Sequence, residues 1–209
     1  SVFIYSFSVL DALDLYEQFS ELIPPGDRGK GIARELAEYL VRSELHTRAA
    51  ELFRYQLEHR ASEQEEFILS SRLASVYLLD GKPDESLEML DRAEKALQTL
   101  PQAEQTQQKK RALSLLRARA LSRSGNTDQA LRYLENLPPR EDVNRLRADI
   151  AWVSGEWDTA ALALEEILLQ RNPSMTRPLE ESTADLVLNL AVALNLSGDR
   201  VAVANLREK

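Results

Sequence analysis

Apolar residues recur along most of this chain at three- and four-residue spacing, and the runs are cut by a glycine that follows a small polar residue. The cuts read LLDGKPDES, SRSGNTDQA, WVSGEWDTA and NLSGDRVAV, around Gly81, Gly125, Gly155 and Gly198. Such spacing puts one apolar stripe on a helix, and glycine is the residue that most readily turns a chain out of a helix's last carbonyls. The pattern predicts helical hairpins that turn at these four glycines.

Other residues hold fixed places around the turns. Seven before the glycine stand Ala74, Ala118, Ala148 and Ala191, and five after it Ser86, Ala130, Ala160 and Val203. The place four before holds Tyr77, Leu121, Ala151 and Leu194, mostly larger apolar residues, and the place nine after holds Leu90, Leu134 and Leu164, until Arg207 breaks the row. Small residues at one place on each helix let a pair approach closely, and the larger ones fill the space between hairpins. The same frame finds a fifth unit without a glycine in AEYLVRSELHTRAAELF, with Ser43-Glu44 at the turn, Ala37 and Leu40 before it, and Ala49 and Phe53 after. Upstream, LDALDLYEQFSELIPP reads as the second helix of a further unit, with Ala12, Leu13, Tyr16 and Phe19 on one face and Pro24 ending it. Residues 1–25 are thus expected to be a partial repeat and 26–209 an array with turns near 43–47, 80–84, 124–128, 154–158 and 197–200.

These residues resemble the tetratricopeptide repeat (TPR) family, a helix–turn–helix unit of about 34 residues with small residues at the helix crossing, a G-x-x-x-x-A turn and a closing proline. The resemblance covers about residues 9 to 209. It implies an all-α, right-handed α-solenoid of about 10–11 helices. Turn centres at 44, 81, 125, 155 and 198 give intervals of 37, 44, 30 and 43, an irregular array whose short interval follows from Pro138-Pro139. The family's large aromatic early in the first helix is missing, and Arg117 and Arg147 stand eight before the turn, where an apolar residue is usual. LYEQFSELIPPGDRGKGIARELAEYLV further resembles segments of large bacterial repeat proteins of unassigned role. An unrelated helical bundle also uses glycine turns and alanine faces. Five aligned units favour the array.

Composition narrows the function classes. The chain's 209 residues carry a formal charge of −8, which disfavours nucleic acid and anionic membrane as partners of the whole surface. Cysteine is absent, so disulfides, thiolate metal sites and cysteine nucleophiles are excluded. The apolar stretch SVFIYSFSVL is about half of the roughly 20 residues a spanning helix needs, and no basic residue precedes it. The chain begins without Met, as a piece of a longer protein would. Cytoplasm is the favoured compartment, with the periplasm open if a targeting segment lies outside this chain.

Catalytic chemistry finds little support. In IPPGDRGKGIARE, residues 23–35, Pro24 stands where a phosphate-binding loop needs its first glycine and Gly31 where it needs a hydroxyl. The stretch is expected to be a connector leading into a helix that begins near Ile32. His46 lies at a turn, and His59 near a helix end, where it can meet terminal carbonyls. No metal-ligand spacing and no nucleophile motif appears. Glu65-Glu66 and Glu180-Glu181 fall in first turns, where negative charge suits the helix dipole, and read as solvated helix starts. No enzyme, cofactor or metal is expected.

One stretch inverts the local charge: QQKKRALSLLRARALSRSG carries Lys109, Lys110, Arg111, Arg117, Arg119 and Arg123 and no acid. In arrays of the TPR family the first helices line a concave groove, so the resemblance implies that Arg34, Glu38, Arg42, Arg119, Arg123, Arg145, Asp149 and Trp152 face a partner. Arginine and tryptophan are frequent anchors of such contacts. The bland alternative is that these arginines pair with acids of neighbouring helices and Trp152 packs as core. A basic helix without interleaved aromatics offers no stacking track for nucleic acid. The family's carboxylate clamp for chaperone tails needs paired lysine and asparagine, and here Arg34 and Glu38 stand instead. The function expected is a scaffold that binds a protein or peptide, an acidic one at Arg119, Arg123 and Arg145. The alternative is a structural segment that self-associates through its end helices.

Overall fold

The structure, a computed structural model, describes residues 27–59, 61–171, 180–199 and 201–202. These form nine α-helices and no strand: α1 (Asp27–Arg42), α2 (His46–His59), α3 (Glu63–Leu79), α4 (Pro83–Thr99), α5 (Gln107–Arg123), α6 (Thr127–Glu135), α7 (Glu141–Ser154), α8 (Trp157–Arg171) and α9 (Glu181–Ser197). The chain divides into two compact units, residues 1–113 and 114–209, the division falling within α5. The helix expected around Ala12 to Phe19 lies outside the described residues, as do Val203 and Arg207.

One backbone motif closes every first helix. At Gly81 the Lys82 N–H donates to the Tyr77 carbonyl at 2.8 Å and the Gly81 N–H to the Leu78 carbonyl at 3.3 Å, the bond pair that satisfies carbonyls a helix end would leave unpaired. The same pair recurs at Gly125, Gly155 and Gly198. It requires a left-handed residue, and the four glycines have φ between 73 and 86°. In the unit without a glycine, Glu44 adopts φ 61° and makes the same two bonds, Leu45 N–H to Leu40 at 3.0 Å and Glu44 N–H to Val41 at 3.1 Å.

In the first unit, α1–α2 and α3–α4 are hairpins, and α2 also packs on α3. Ala37, Ala49, Ala74 and Ser86, the small residues of the two crossings, are wholly buried. Around them Leu40, Phe53, Leu57, Leu73, Val76 and Tyr77 form a continuous core. Burying a side chain of the size of Phe53 or Leu73 stabilises by roughly 1.5–3 kcal/mol. Pro83 opens α4 at its first turn, where its missing N–H costs nothing, with Asp84 and Glu85 beside the helix dipole. After α4, Gln105 folds back and donates to the Leu100 and Gln98 carbonyls at 2.9 and 3.2 Å, capping the helix before the chain enters α5.

The expected connector of residues 23–35 is corrected in part. Helix α1 already begins at Asp27, so Gly29 and Gly31 are helical, whereas residues 23–26 lie outside the described residues. Each glycine costs about 1 kcal/mol against alanine in a helix. Tertiary contacts outweigh that: Gly29 is buried, and Lys30 reaches Glu65 of α3 at 2.7 Å.

In the second unit, α7 packs on both α6 and α8, and α9 packs on α8. Helix α6 has only nine residues, ending before Pro138-Pro139. Ala118, Ala130, Ala148 and Ala160 are buried at the crossing places. Arg147, where an apolar residue is usual, lies 3.2 Å from Glu166 of α8 with its side chain only 14% exposed. Arg171, at the end of α8, joins three helices. It donates to Glu141 Oε1 of α7 at 2.5 Å and to Ser182 and Thr183 of α9 at 3.2 and 3.3 Å.

Candidate functional site

All of the candidate residues except Trp152 share a register. Counting back from each turn residue, the places ten, six and two before it hold Arg34, Glu38 and Arg42 on α1, and Arg145, Asp149 and Val153 on α7. These places lie four apart, so each trio forms one stripe along its helix. The same places hold Ser71, Ser75 and Leu79 on α3, Leu115, Arg119 and Arg123 on α5, and Leu188, Val192 and Leu196 on α9.

On α1 two of the three stripe residues are spent on contacts within the protein. Glu38 accepts both arms of a bidentate bond from Arg72 of α3, at 2.7 and 2.5 Å. Arg34 lies 3.5 Å from Glu65 of α3, and its Nε is buried without an acceptor. Arg42 is exposed beside its own helix, 5.9 Å above the Tyr39 ring. For Arg34 and Glu38 the bland alternative describes what is seen.

Glu65 is the hub of this unit. Its Oε2 accepts from Lys30 Nζ at 2.7 Å, from the Ser62 hydroxyl at 2.9 Å and from the Ser62 N–H at 3.0 Å, the last being the reach-back of a capping box. Burial alone would raise its pKa, but the bonds from Lys30 and Ser62 outweigh it and hold the carboxyl down at about 2. Glu66 accepts from Arg92 of α4 at 2.8 Å. These two acids do stand in a first turn, but they are ion-paired rather than solvated, because α1 and α4 bring cations onto them.

The second unit keeps more of its stripe open. Arg119 is exposed and has no ion-pair partner among the described residues, and Asp149 is likewise exposed and unpaired. Arg123 is exposed at the last turn of α5. Arg145 is half committed, 3.0 Å from Glu141 one turn back. Hydrogen bonds from Arg171 and Arg145 lower the Glu141 pKa. Trp152 is half-buried, its ring meeting Trp157 edge-on at 5.4 Å and 88°. Sequence reasoning selected the charged members of the stripe and missed Leu79, Val153, Leu188, Val192 and Leu196, all of them exposed. The signal that finds them is the register itself.

His59 Nδ1 donates to the Tyr55 carbonyl at 3.1 Å, the terminal-carbonyl contact expected of it. Among the described residues no group of three His, Asp or Glu side chains is placed to hold a metal ion, and no helix is long and apolar enough to cross a membrane.

No family model matches the chain, and no curated protein sequence matches it. Solved structures do. TPR-like repeats of a kinesin light chain-like protein of Podosopora anserina superpose with a TM-score of 0.62 at 21% identity, over 84% of this chain and 90% of that one. BtubC (BKLC) from P. vanneervenii gives 0.57 at 16% identity, over 95% and 84%. YrrB, described as a TPR protein with an unusual peptide-binding site, gives 0.52 at 15%, over 95% and 90%. The fold is therefore an all-α solenoid of TPR-like helical repeats.

Proposed function

We propose that this chain is a non-enzymatic scaffold that holds a peptide or protein segment on the residues exposed by the first helices of its second unit. The observation that carries the reading is a contrast between the stripes. Arg34 and Glu38 are consumed by internal ion pairs, whereas Arg119 and Asp149 stand exposed, and Trp152, next to the α7 stripe, offers a half-open ring. A scaffold of packed hairpins loses little freedom on binding, so the ordering cost falls on the partner. The peptide-binding site of YrrB, a structure of the same fold, supports the class of partner.

An acidic segment fits α5, where Arg119 and Arg123 share a face on a helix without acids. Arg145 contributes less, because a partner's carboxylate must compete there with Glu141. Binding of this kind weakens with salt. The test is capture of partners by the chain and by its Arg119→Glu, Arg123→Glu double variant at low and high ionic strength. Loss in the variant and in high salt is expected, and equal recovery by the two proteins removes the acidic-segment reading.

A further inference from the structure

Residues 141–199 carry eleven Asp and Glu against four Lys and Arg, so nearly all of the chain's net charge of −8 resides there. Three of the four cations are already spent: Arg145 and Arg171 lie on Glu141, and Arg147 on Glu166. The exposed acids include Asp149, Glu156, Glu181, Asp185 and Asp199. In the same segment the stripe of α9 is apolar, with Leu188 63%, Val192 38% and Leu196 49% exposed. These three residues lie four apart, a ridge roughly 12 Å long on one helix face.

What covers this ridge follows from its register and its charge. A hairpin following α9 is a poor candidate for the whole ridge, because Val153 of α7, at the same place as Leu196, is 88% exposed although α8 and α9 follow it. Ala191, at the place of the helix crossing, and Leu194, at the place that fills the space between hairpins, are only partly exposed and lie off the stripe. An anionic membrane is repelled by Glu181 and Asp185 on the same helix and Asp199 just past its end. A helix with apolar residues on one face and Lys or Arg on the other satisfies both the ridge and its acidic rim, as helix-in-groove recognition does elsewhere.

We propose that the α9 ridge Leu188–Val192–Leu196, with the acids flanking it, is a docking surface for a basic amphipathic helix of a partner protein. It rests on the reading of the chain as a partner-binding scaffold, but it uses a different helix and the opposite charge from the α5 site.

The probe is a labelled 14-residue peptide of Leu and Lys with the leucines on one helical face, titrated into the whole chain by fluorescence anisotropy. Trp152 and Trp157, the chain's only tryptophans, provide a second readout. Two control peptides accompany it, one of the same composition in scrambled order and one with Glu for Lys. The expected result is binding that falls between about 50 and 300 mM salt. The Leu188→Ser, Val192→Ser, Leu196→Ser variant should bind at least about tenfold more weakly. Glu181→Lys with Asp185→Lys, which leaves the ridge intact, should also weaken it. Equal binding of the scrambled or the Glu peptide overturns the proposal, as does unchanged binding by either variant. A dimer in light scattering that the serine variant abolishes assigns the ridge to a second copy and overturns it too. Arg119→Glu with Arg123→Glu should leave this peptide's binding undiminished, so failure here and failure at α5 are read separately.

Discussion

Ser86 Oγ donates to the Ala74 carbonyl at 2.8 Å, so the small place of α4 lies directly on the small place of α3. Both residues are wholly buried, as are Ala130 and Ala160 at the matching place of the next two hairpins. Ala130→Leu and Ala160→Leu should each destabilise by roughly 1–3 kcal/mol through overpacking. Ser86→Ala, which removes only a hydrogen bond, should cost about 1 kcal/mol. Urea denaturation measures all three. A neutral result at both alanines contradicts the close crossing.

Glu44 holds a left-handed conformation that four glycines hold elsewhere. A side chain there costs roughly 1–2 kcal/mol, partly offset by the extra freedom glycine has in the unfolded chain. Glu44→Gly should therefore raise stability by about 0.5–1 kcal/mol, and Gly125→Glu should lower it by about the same amount. Thermal melts of the two variants should move in opposite directions. A lower melting temperature for Glu44→Gly would mean that the Glu44 side chain contributes more than its backbone costs.

The repeat fold was legible because a left-handed turn selects glycine and a close crossing selects alanine or serine, and both leave single-letter traces. The ion pairs were not. Glu65 follows Ser62 at capping-box spacing, but its bond to Lys30 joins residues 35 apart and exists only once α1 and α3 are stacked. Arg171 likewise reaches back to Glu141 across 30 residues. The apolar members of the exposed stripe escaped for a different reason. Periodicity reads Leu188 and Leu196 as it reads the buried Leu190, since all recur at helical spacing, and only burial separates ridge from core.

The start of α1 was misread because glycine lowers helix propensity without forbidding helix. Gly31 lies inside α1, and a β-carbon there would meet nothing within 4 Å. Gly31→Ala should stabilise by roughly 0.5–1 kcal/mol. Circular dichroism during guanidinium unfolding gives the value. Destabilisation would show that the open space around Gly31 serves another purpose.

Glu65 makes acid stability a test of the stacking of α1 on α3. Its carboxyl titrates at about 2 in the folded chain instead of the ordinary 4.5, because Lys30 and Ser62 bind its charged form. A depressed folded-state pKa gives stability that is present above pH 4.5 and drains away as the pH falls toward 2. With a quarter of the side chain still in solvent, screening reduces the contribution to about 1–2 kcal/mol. Asp80 and Glu141 are lowered too, the first by Lys82 and Thr47 against the opposing effect of burial, the second by Arg171 and Arg145, so they act in the same direction. Glu65→Gln should be less stable than the parent at neutral pH by that amount, and the two denaturation curves should converge only as the pH falls through about 2. A gap of constant size across the whole range would place the cost of the substitution in packing and remove the Lys30–Glu65 pair as its cause.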